Sequence, residues 1–492
     1  MQSQIELSGT PGELRCELRP QPLGIGTARP GFSWQSMDTR TAEVESAWQI
    51  LVASDRARLV PVASAPAPDL WDSGIVAGSS RGLIVSYAGV PLVSRQRVWW
   101  TVRSFDSDGL SSGFAEPACF EVGLLSNADW RGHWLSVPWQ GSATDGGPVA
   151  ALLRDFSIDE LPLEARLYVA VLGRAVIQLN GRTVDAAVGD AEAGDPGERR
   201  RYRTLDVTRH LLPGANRLGV LLGDGAYCGN YLQPAAREGF GTAPELLLQL
   251  EWRDGAGRHQ RIVSDDRWLL YRTPIVESDP VLGEAIDLRR WNPNWSVPEV
   301  PINWEPAVPV SAALQPVPLV AEPQYDTDRP PRSTTELLTL DTLEYLVPES
   351  RSPAPRPRLN GLLIDLGAER EGRLRVDGHF ADGDRLLVHY ARKRTELTGA
   401  LDSDRFTSAA GDGELEAQLA ERSFRFARLA GTVEWRDVEA IRFSSSHGHR
   451  VRPGTELLEC DQPVLAAAVD RASARLRAAL AGRPAFAVVT AE

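Results

Sequence analysis

Short apolar runs separated by glycine-rich turns fill the stretch Leu221–Trp291 and limit the folds open to this chain. Runs of this length, bounded by turn residues, are typical of strands in a β-sandwich rather than of helices. Charged residues cluster where this stretch turns: Asp224, Arg237, Asp279, Glu284, Asp287 and Arg289. They are either solvated loop charges or part of a binding surface, because loops are polar and also carry function.

Length and charge narrow the class of protein. The 492 residues suggest about three domains, and the 53 basic and 66 acidic residues give a net charge of −13. An acidic chain is a poor partner for nucleic acid or an anionic membrane surface. No apolar run is long enough to span a bilayer, and the first residues show no pattern of a secretory signal, so we expect a cytoplasmic protein.

Motifs for metal, redox or nucleophilic chemistry are absent from the sequence. The four cysteines, Cys16, Cys119, Cys228 and Cys460, are far apart, so we expect free thiols and no zinc site. His447 and His449 form an HxH pair without acidic neighbours. No GxSxG, Walker A or HExxH motif occurs, so the sequence offers no catalytic residue of these types.

Residues 1–125 are predicted to form a fibronectin-III or immunoglobulin-like sandwich. Strand-like runs occur at Trp48–Ala53, Leu83–Tyr87, Arg97–Arg103 and Ala118–Val122. In the third run, Val98, Trp100 and Val102 alternate with polar neighbours and should share one face. The tryptophans could form a sugar-stacking platform, but packing in a small core is the preferred interpretation for Trp34, Trp48, Trp71 and Trp100.

Several segments of this first unit resemble one family in the correct order. They are LRCELRPQPLGIGTARPGFSW, WQILVAS, LWDSG, VSYAGVPLVSRQRVWWTVRSFD and FEVGLLSNADWRGHWL. Together they look like the amino-terminal module of bacterial α-L-rhamnosidases, glycoside hydrolase family 78. The resemblance implies a protein that acts on, or binds, rhamnose-containing glycans.

Residues 126–300 resemble the second domain of that family, a jelly-roll sandwich of the carbohydrate-binding type. Asn180-Gly181 is a strong hairpin signal, and LPGANRLGVLLGDGAY and ESDPVLGEAIDLRRW match the family pattern. Two departures remove aromatic surface: Ala226 stands where relatives carry tryptophan, and the loop DAAVGDAEAGDPGERRR contains no aromatic residue. Each lost ring would have contributed roughly 1–2 kcal/mol against a sugar face.

The last third of the chain is predicted to contain three parts. Residues 301–358 are a proline-rich connector with one strand near Leu337–Leu346, because proline resists helices and central strands. Residues 359–455 resemble the family's concanavalin-like sandwich. Within 460–492, Val464–Leu480 has helical periodicity and resembles the first helix leading into the family's (α/α)6 catalytic barrel. The barrel's entry motif has no counterpart in ALAGRPAFAVVTAE, so the resemblance covers the front half of the family's architecture.

Three functions stay open from the sequence: a non-catalytic array that binds or positions rhamnose-containing glycans, an active α-L-rhamnosidase, and an inactive remnant. An enzyme would need two carboxylates about 5–9.5 Å apart, and Glu284 with Asp287 is the only pair considered. The predicted carbohydrate-binding residues, expected to converge at one end of the second domain, are Asp224, Tyr227, Arg237, Glu284, Asp287 and Arg289. No metal or cofactor is expected, with calcium an open alternative where carboxylates meet backbone carbonyls.

Overall fold

The computed structural model describes residues 9–35, 45–60, 65–79, 83–139, 146–189, 200–230, 240–298, 300–301, 305–309, 319–322, 334–337, 343–346, 361–397, 402–419, 421–445 and 489–490. They are organised in tandem β-sheets, so the predicted mainly-β fold is confirmed. The predicted helix Val464–Leu480, the pair His447 and His449, and Cys460 lie outside these ranges. No disulfide involving Cys16, Cys119 or Cys228 is found within the described ranges.

The first unit pairs two small antiparallel sheets. Its strands are β1 Gly12–Cys16, β2 Gly31–Gln35, β3 Ala47–Ala53, β4 Trp71–Asp72, β5 Val76–Ala77, β6 Val85–Ser86, β7 Arg97–Phe105 and β8 Ala118–Glu121. One sheet has the order β1-β2-β6, and the other has the order β4-β3-β7-β8 with β5 also on β3. Val98, Trp100 and Val102 of β7 are each 0% exposed, which confirms the predicted inward face.

Tryptophan fills the core of this first unit. Trp100 stacks on Phe32 with ring centroids 4.4 Å apart. Trp34 packs edge-on against Trp48, and Trp71 packs edge-on against Tyr87 in the same hydrophobic cluster. The four tryptophans considered for a stacking platform therefore pack in or against the core, as large apolar side chains do in small sandwiches.

The second unit is a sandwich of longer strands. They are β9 Leu135–Ser136, β10 Ala150–Ile158, β11 Ala165–Leu172, β12 Arg174–Leu179, β13 Arg182–Gly189, β14 Arg200–Asp206, β15 Gly214–Gly223, β16 Glu245–Arg253, β17 His259–Val263 and β18 Leu269–Arg272. Asn180 and Gly181 both adopt positive φ and join β12 to β13, the turn that the sequence predicts. The helix α1, Gly225–Cys228, directly follows β15.

A hairpin and three connector strands complete this region. They are β19 Ile275–Asp279, β20 Gly283–Asp287, β21 Glu305–Pro306, β22 Val308–Pro309 and β23 Leu319–Glu322. The two facing sheets have the orders β13-β12-β15-β10-β18-β21 and β22-β9-β16-β11-β14-β23, with β17 on β16. The proline-containing strands β21 and β22 lie at sheet edges, where a missing N–H breaks no internal ladder.

The third unit is built around one long bent strand. Its strands are β24 Thr334–Leu337, β25 Leu343–Leu346, β26 Gly361–Phe380, β27 Arg385–Ala391, β28 Ser403–Thr407, β29 Gly411–Glu416, β30 Arg422–Gly431, β31 Val438–Ser445 and β32 Val489–Thr490. One sheet has the strand order β19-β20-β28-β27-β30-β26-β25-β32. The long strand β26 also pairs with β29 and with β31, and β31 pairs in turn with β24. Two separate strands, β24 and β25, occupy the region where the sequence suggests one.

The hairpin β19–β20 links the second unit to the third. It falls inside the predicted range 126–300, yet β20 pairs in parallel with β28, with Ala285 opposite Arg405 and Asp287 opposite Thr407. Residues from both units, among them Leu221 and Phe424, share one hydrophobic cluster. The hairpin therefore belongs structurally to the third sheet, and the two units share a core.

The first and second units are joined by a buried polar network. Arg95 Nε donates to Glu251 Oε2 at 2.6 Å, and its Nη1 donates to Asp129 Oδ1 at 3.2 Å. The Tyr202 hydroxyl donates to the carbonyl of Leu124 at 2.8 Å. The side chain of Glu251 is only 4% exposed, so the ion pair with Arg95 is largely withdrawn from solvent.

Candidate functional site

The predicted site begins at the turn after β15, where Asp224 precedes α1. Asp224 is 3% exposed, and its Oδ2 accepts a hydrogen bond from the backbone N–H of Gly147 at 2.8 Å. A Cβ on Gly147 would lie 2.6 Å from both carboxylate oxygens, so this contact requires glycine. The Sγ of Cys228 donates to the backbone carbonyl of Asp224 at 3.2 Å. Asp224 therefore fixes the turn and faces the protein interior.

Asn230, two residues after α1, is tied to the tip of the hairpin β19–β20. The backbone N–H and the side-chain amide of Asn230 each donate to Asp279 Oδ2 at 2.9 Å. Asp279 Oδ1 accepts from Val281 N at 2.9 Å and from Leu282 N at 3.0 Å. Asp279 is 1% exposed, and its bonds hold the tight turn against α1.

Glu284 of β20 joins the hairpin to a distant loop of the third unit. Its Oε2 accepts from the backbone N–H of Gln418 at 2.8 Å, and its Oε1 accepts from that of Leu419 at 2.9 Å. Its own N–H donates to Asp404 Oδ1 at 2.9 Å. Glu284 is 0% exposed, so its carboxylate serves as an internal acceptor for backbone N–H groups.

A charged cluster that the sequence did not reveal lies beside Glu284. Arg422 forms ion pairs with Asp402 and, at 3.0 Å, with Asp404, while the Tyr390 hydroxyl donates to Asp404 Oδ2 at 2.8 Å. Burial raises the pKa of Asp402 to about 6, with Asp404 adding to the rise and Arg422 opposing it. Asp404 lies on β28 and Asp402 directly precedes that strand, but their partner Arg422 comes from β30 and has no local signal.

Asp287 and Arg289 lie at the other end of β20. Arg289 donates to both oxygens of Asp287 at 2.9 Å, and this hydrogen bond lowers the pKa of the Asp287 carboxyl. Asp287 also lines a shallow groove of about 310 Å³ whose other walls include Val276, Leu387 and Arg385. Ion pairing within the loop is therefore the role that the geometry gives to this pair.

The structure brings together only part of the predicted set. Asp224 and Glu284 are connected through Ser278. The N–H of Gly147 donates to Asp224, Gly147 bridges to Ser278, and Ser278 is paired with Glu284. Asp287 lies three residues along the strand from Glu284, a distance of roughly 10 Å. Convergence of the whole predicted set at one end of the second unit stays a prediction. Tyr227 is half-buried on α1 against Gly241, and Arg237 lies outside the described residues.

Two charged residues on the outer face of the second unit were not predicted. Arg200 begins β14 and Glu245 begins β16, and both are buried. In PELLLQLEW the residues Glu245, Leu247, Gln249 and Glu251 alternate with an inward apolar set. That alternation indicates an outer face, but no pattern in the sequence shows that Arg200 stands on the same face.

Neither a metal centre nor a membrane helix is found in the described ranges. No group of three or more His, Cys, Asp or Glu side chains is arranged there to hold an ion. None of the helices in the same ranges is long and apolar enough to cross a membrane.

Comparison with known families matches the chain in two places. Residues 11–126 match the model of the Rha78A-like N-terminal immunoglobulin domain. Residues 161–325 match the model of the alpha-L-rhamnosidase N-terminal domain. The two matches fall on the first and second sandwiches described above.

The curated relatives that match this chain include several proteins named alpha-L-rhamnosidase. An alpha-L-rhamnosidase of Formosa agariphila is 27% identical over 424 residues, covering 84% of this chain and 42% of the relative. One from Alteromonas is 30% identical over 286 residues, covering 56% of this chain and 30% of the relative. One from Streptomyces avermitilis is 23% identical and is covered over 55% of its length. The chain therefore spans about half, or less, of the length of the curated relatives it matches.

Solved structures show the same arrangement of domains. The alpha-L-rhamnosidase from Dictyoglumus thermophilum superposes with a TM-score of 0.73 at 24% identity, covering 89% of this chain and 49% of its own. The Streptomyces avermitilis alpha-L-rhamnosidase complexed with L-rhamnose superposes with a TM-score of 0.67 at 20% identity. The match covers 88% of this chain and 57% of that structure's chain. At these identities the likeness shows the fold alone. Taken with the two domain matches, the chain belongs to the α-L-rhamnosidase family through its amino-terminal β domains.

Proposed function

We propose that this chain is a non-catalytic array of β domains from an α-L-rhamnosidase-type protein, and that it binds or positions rhamnose-containing glycans. The curated relatives are named alpha-L-rhamnosidases, and a related structure holds L-rhamnose. The chain spans 42–55% of two of those relatives, so catalysis in them can rest on parts beyond the matched region.

The observation that carries the non-catalytic assignment is the state of Glu284. A glycosidase needs one carboxylic acid beside the leaving oxygen and a second carboxylate across the sugar ring. Both oxygens of Glu284 accept backbone hydrogen bonds inside the protein, and Asp287 is paired with Arg289. The only candidate pair from the sequence thus offers no free acid to a substrate.

Hydrolysis is the competing function, and the names of the relatives favour it. Incubation of the purified 492-residue chain with an aryl α-L-rhamnoside tests it through the release of nitrophenol. We expect release at the rate of the buffer blank, because general acid catalysis worth about 10²–10⁴-fold per group is not supplied. Turnover well above the blank that Glu284→Gln abolishes would overturn the non-catalytic assignment, with exposed Glu160→Gln as the matched control.

A further inference from the structure

A groove of about 310 Å³ crosses the outer face of the third sheet, over strands β20, β28, β27 and β30. The inward residues of three of these strands, Ile286, Leu386 and Phe406, are at most 3% exposed. The residues on either side of them in sequence face outward, because side chains alternate along a strand, and these are half-buried or exposed. The groove is therefore open to solvent, with a volume at the lower end of the range of small-ligand sites.

The register of the strands arranges the groove-facing side chains in two rows. The first row is apolar apart from one arginine, and its members, opposite one another across the four strands, are Ala285, Arg405, Leu387 and Ala430. The second row is polar and consists of Asp287, Thr407 and Arg385. The rows are two residues apart along each strand, roughly 7 Å. The groove thus has an apolar side and a polar side.

One positive charge in the groove is not compensated. Arg405 pairs with Glu277, and Asp287 pairs with Arg289. Arg385 is exposed, and its guanidinium has no ion pair or side-chain hydrogen bond with any residue of the described ranges. The charges around the groove therefore add up to one free cation, at the Arg385 end of the polar row.

Thr407 places a hydroxyl beside the Arg385 guanidinium. The two residues are opposite each other in the antiparallel pair of β27 and β28, where facing Cβ atoms are about 5 Å apart. Asp384 precedes Arg385, but its carboxylate accepts from the N–H of Ala381 at 3.0 Å and from the hydroxyl of Thr432 at 3.1 Å. Arg385 and Thr407 can therefore donate to the same group, and a guanidinium matches the two oxygens of a carboxylate.

We propose that the groove binds a small ligand that carries one carboxylate on a six-membered ring. The carboxylate would accept hydrogen bonds from the Arg385 guanidinium and the Thr407 hydroxyl, and the ring would lie on Leu387 and Ala430. A carboxylate joined directly to its ring suits the spacing of roughly 7 Å between the two rows. This chemistry has two sources, a uronic acid residue of a glycan and an aromatic carboxylic acid. The site goes beyond the proposed function and does not depend on the binding of L-rhamnose.

Saturation-transfer NMR on the full 492-residue chain at pH 7 tests the site with matched pairs of probes. D-Glucuronate is compared with D-glucose, and benzoate with benzyl alcohol, because the members of each pair differ at the carboxylate. Acetate is the probe for a carboxylate without a ring. We expect at least one ring carboxylate to bind about 10-fold or more tightly than its neutral counterpart, as for hydrogen bonds to a charged group, and more tightly than acetate.

Two variants test the assigned residues. Arg385→Gln removes the charge, and Thr407→Val removes the hydroxyl while keeping the shape of the side chain. The matched controls at exposed positions outside the groove are Arg182→Gln and Thr10→Val. We expect the affinity for the ring carboxylate to fall about 10-fold or more in Arg385→Gln and about 3-fold or more in Thr407→Val, with both controls like wild type. Thr407→Val decides the matter if Arg385→Gln does not fold.

The outcomes also identify the source of the ligand. Binding of D-glucuronate supports a uronic acid, binding of benzoate supports an aromatic acid, and either result supports the site. Acetate binding as tight as that of the ring carboxylates would overturn the proposal, because a surface anion contact would explain it. Absence of binding by both ring carboxylates, or an unchanged affinity in the folded site variants, would also overturn it. A parallel titration with L-rhamnose reports on the proposed function separately, and its failure would leave this site standing.

Discussion

The Glu284 carboxylate accepts a hydrogen bond from the backbone N–H of Leu419, a residue 135 positions further along the chain. Together with the bond from Gln418, this contact fixes the hairpin of the second predicted domain onto the third sheet. A residue that the sequence nominates for binding is thus a structural acceptor between units.

Glu284→Ala is expected to destabilise the chain strongly, because it leaves two buried backbone N–H groups without acceptors. Each such group costs about 1–3 kcal/mol, so we expect a loss of about 3 kcal/mol or more in the free energy of unfolding. Urea denaturation measures this loss in the free energy of unfolding. Glu277→Ala on the same hairpin is the control, because the side chain of Glu277 is 28% exposed and pairs with Arg405 near the surface. Equal losses for the two variants would contradict the structural role of Glu284.

Gly147→Ala should disrupt the turn at Asp224. The added Cβ would lie 2.6 Å from the Asp224 carboxylate oxygens, so the turn must move, at a cost of about 1–3 kcal/mol. Gly113→Ala is the control, since nothing lies within 4 Å of a Cβ there. Thermal melts compare the two variants, and a Gly147→Ala melt that matches Gly113→Ala would show that the contact is not tight.

Breaking the Arg95–Glu251 pair should loosen the junction between the first and second units. Glu251→Ala removes two hydrogen bonds from the Arg95 guanidinium, which keeps Asp129 as a partner, and a hydrogen bond to a charged group contributes about 1.5–3 kcal/mol. Glu164→Ala removes an exposed partner of Arg97 and should cost less than about 1 kcal/mol. Urea denaturation and limited proteolysis near residue 125 report the difference. Similar behaviour of both variants would argue against a buried junction.

The stability of the chain should depend on pH through Asp402. Its pKa is about 6 in the folded protein against 3.8 for the free side chain, so the folded state binds more protons between these values. This contribution to stability is present below about pH 4 and is lost as pH rises through 6. The melting temperature of wild type relative to Asp402→Asn should therefore fall between pH 4 and 6. A difference that is flat or rises over this window would contradict a raised pKa of Asp402.

The class of fold was readable from the sequence because side-chain alternation is a local property of a strand. Val98, Trp100 and Val102 follow this rule, and the Asn180-Gly181 turn fixes its own hairpin. The arrangement of the site was not readable, because its partners are distant in sequence. Nothing near Glu284 indicates Leu419, and nothing near Asp404 indicates Arg422. These pairs depend on which strands become neighbours, which local patterns do not specify.

Calorimetric titration of L-rhamnose into the 492-residue chain, with and without calcium, tests the central claim most directly. The account predicts a saturable heat with L-rhamnose, and the comparison of the two buffers shows whether this heat depends on calcium. D-glucose injected under the same conditions gives the reference for unspecific heat. The absence of any saturable heat with L-rhamnose in both buffers would contradict the claim that these domains bind or position rhamnose-containing glycans.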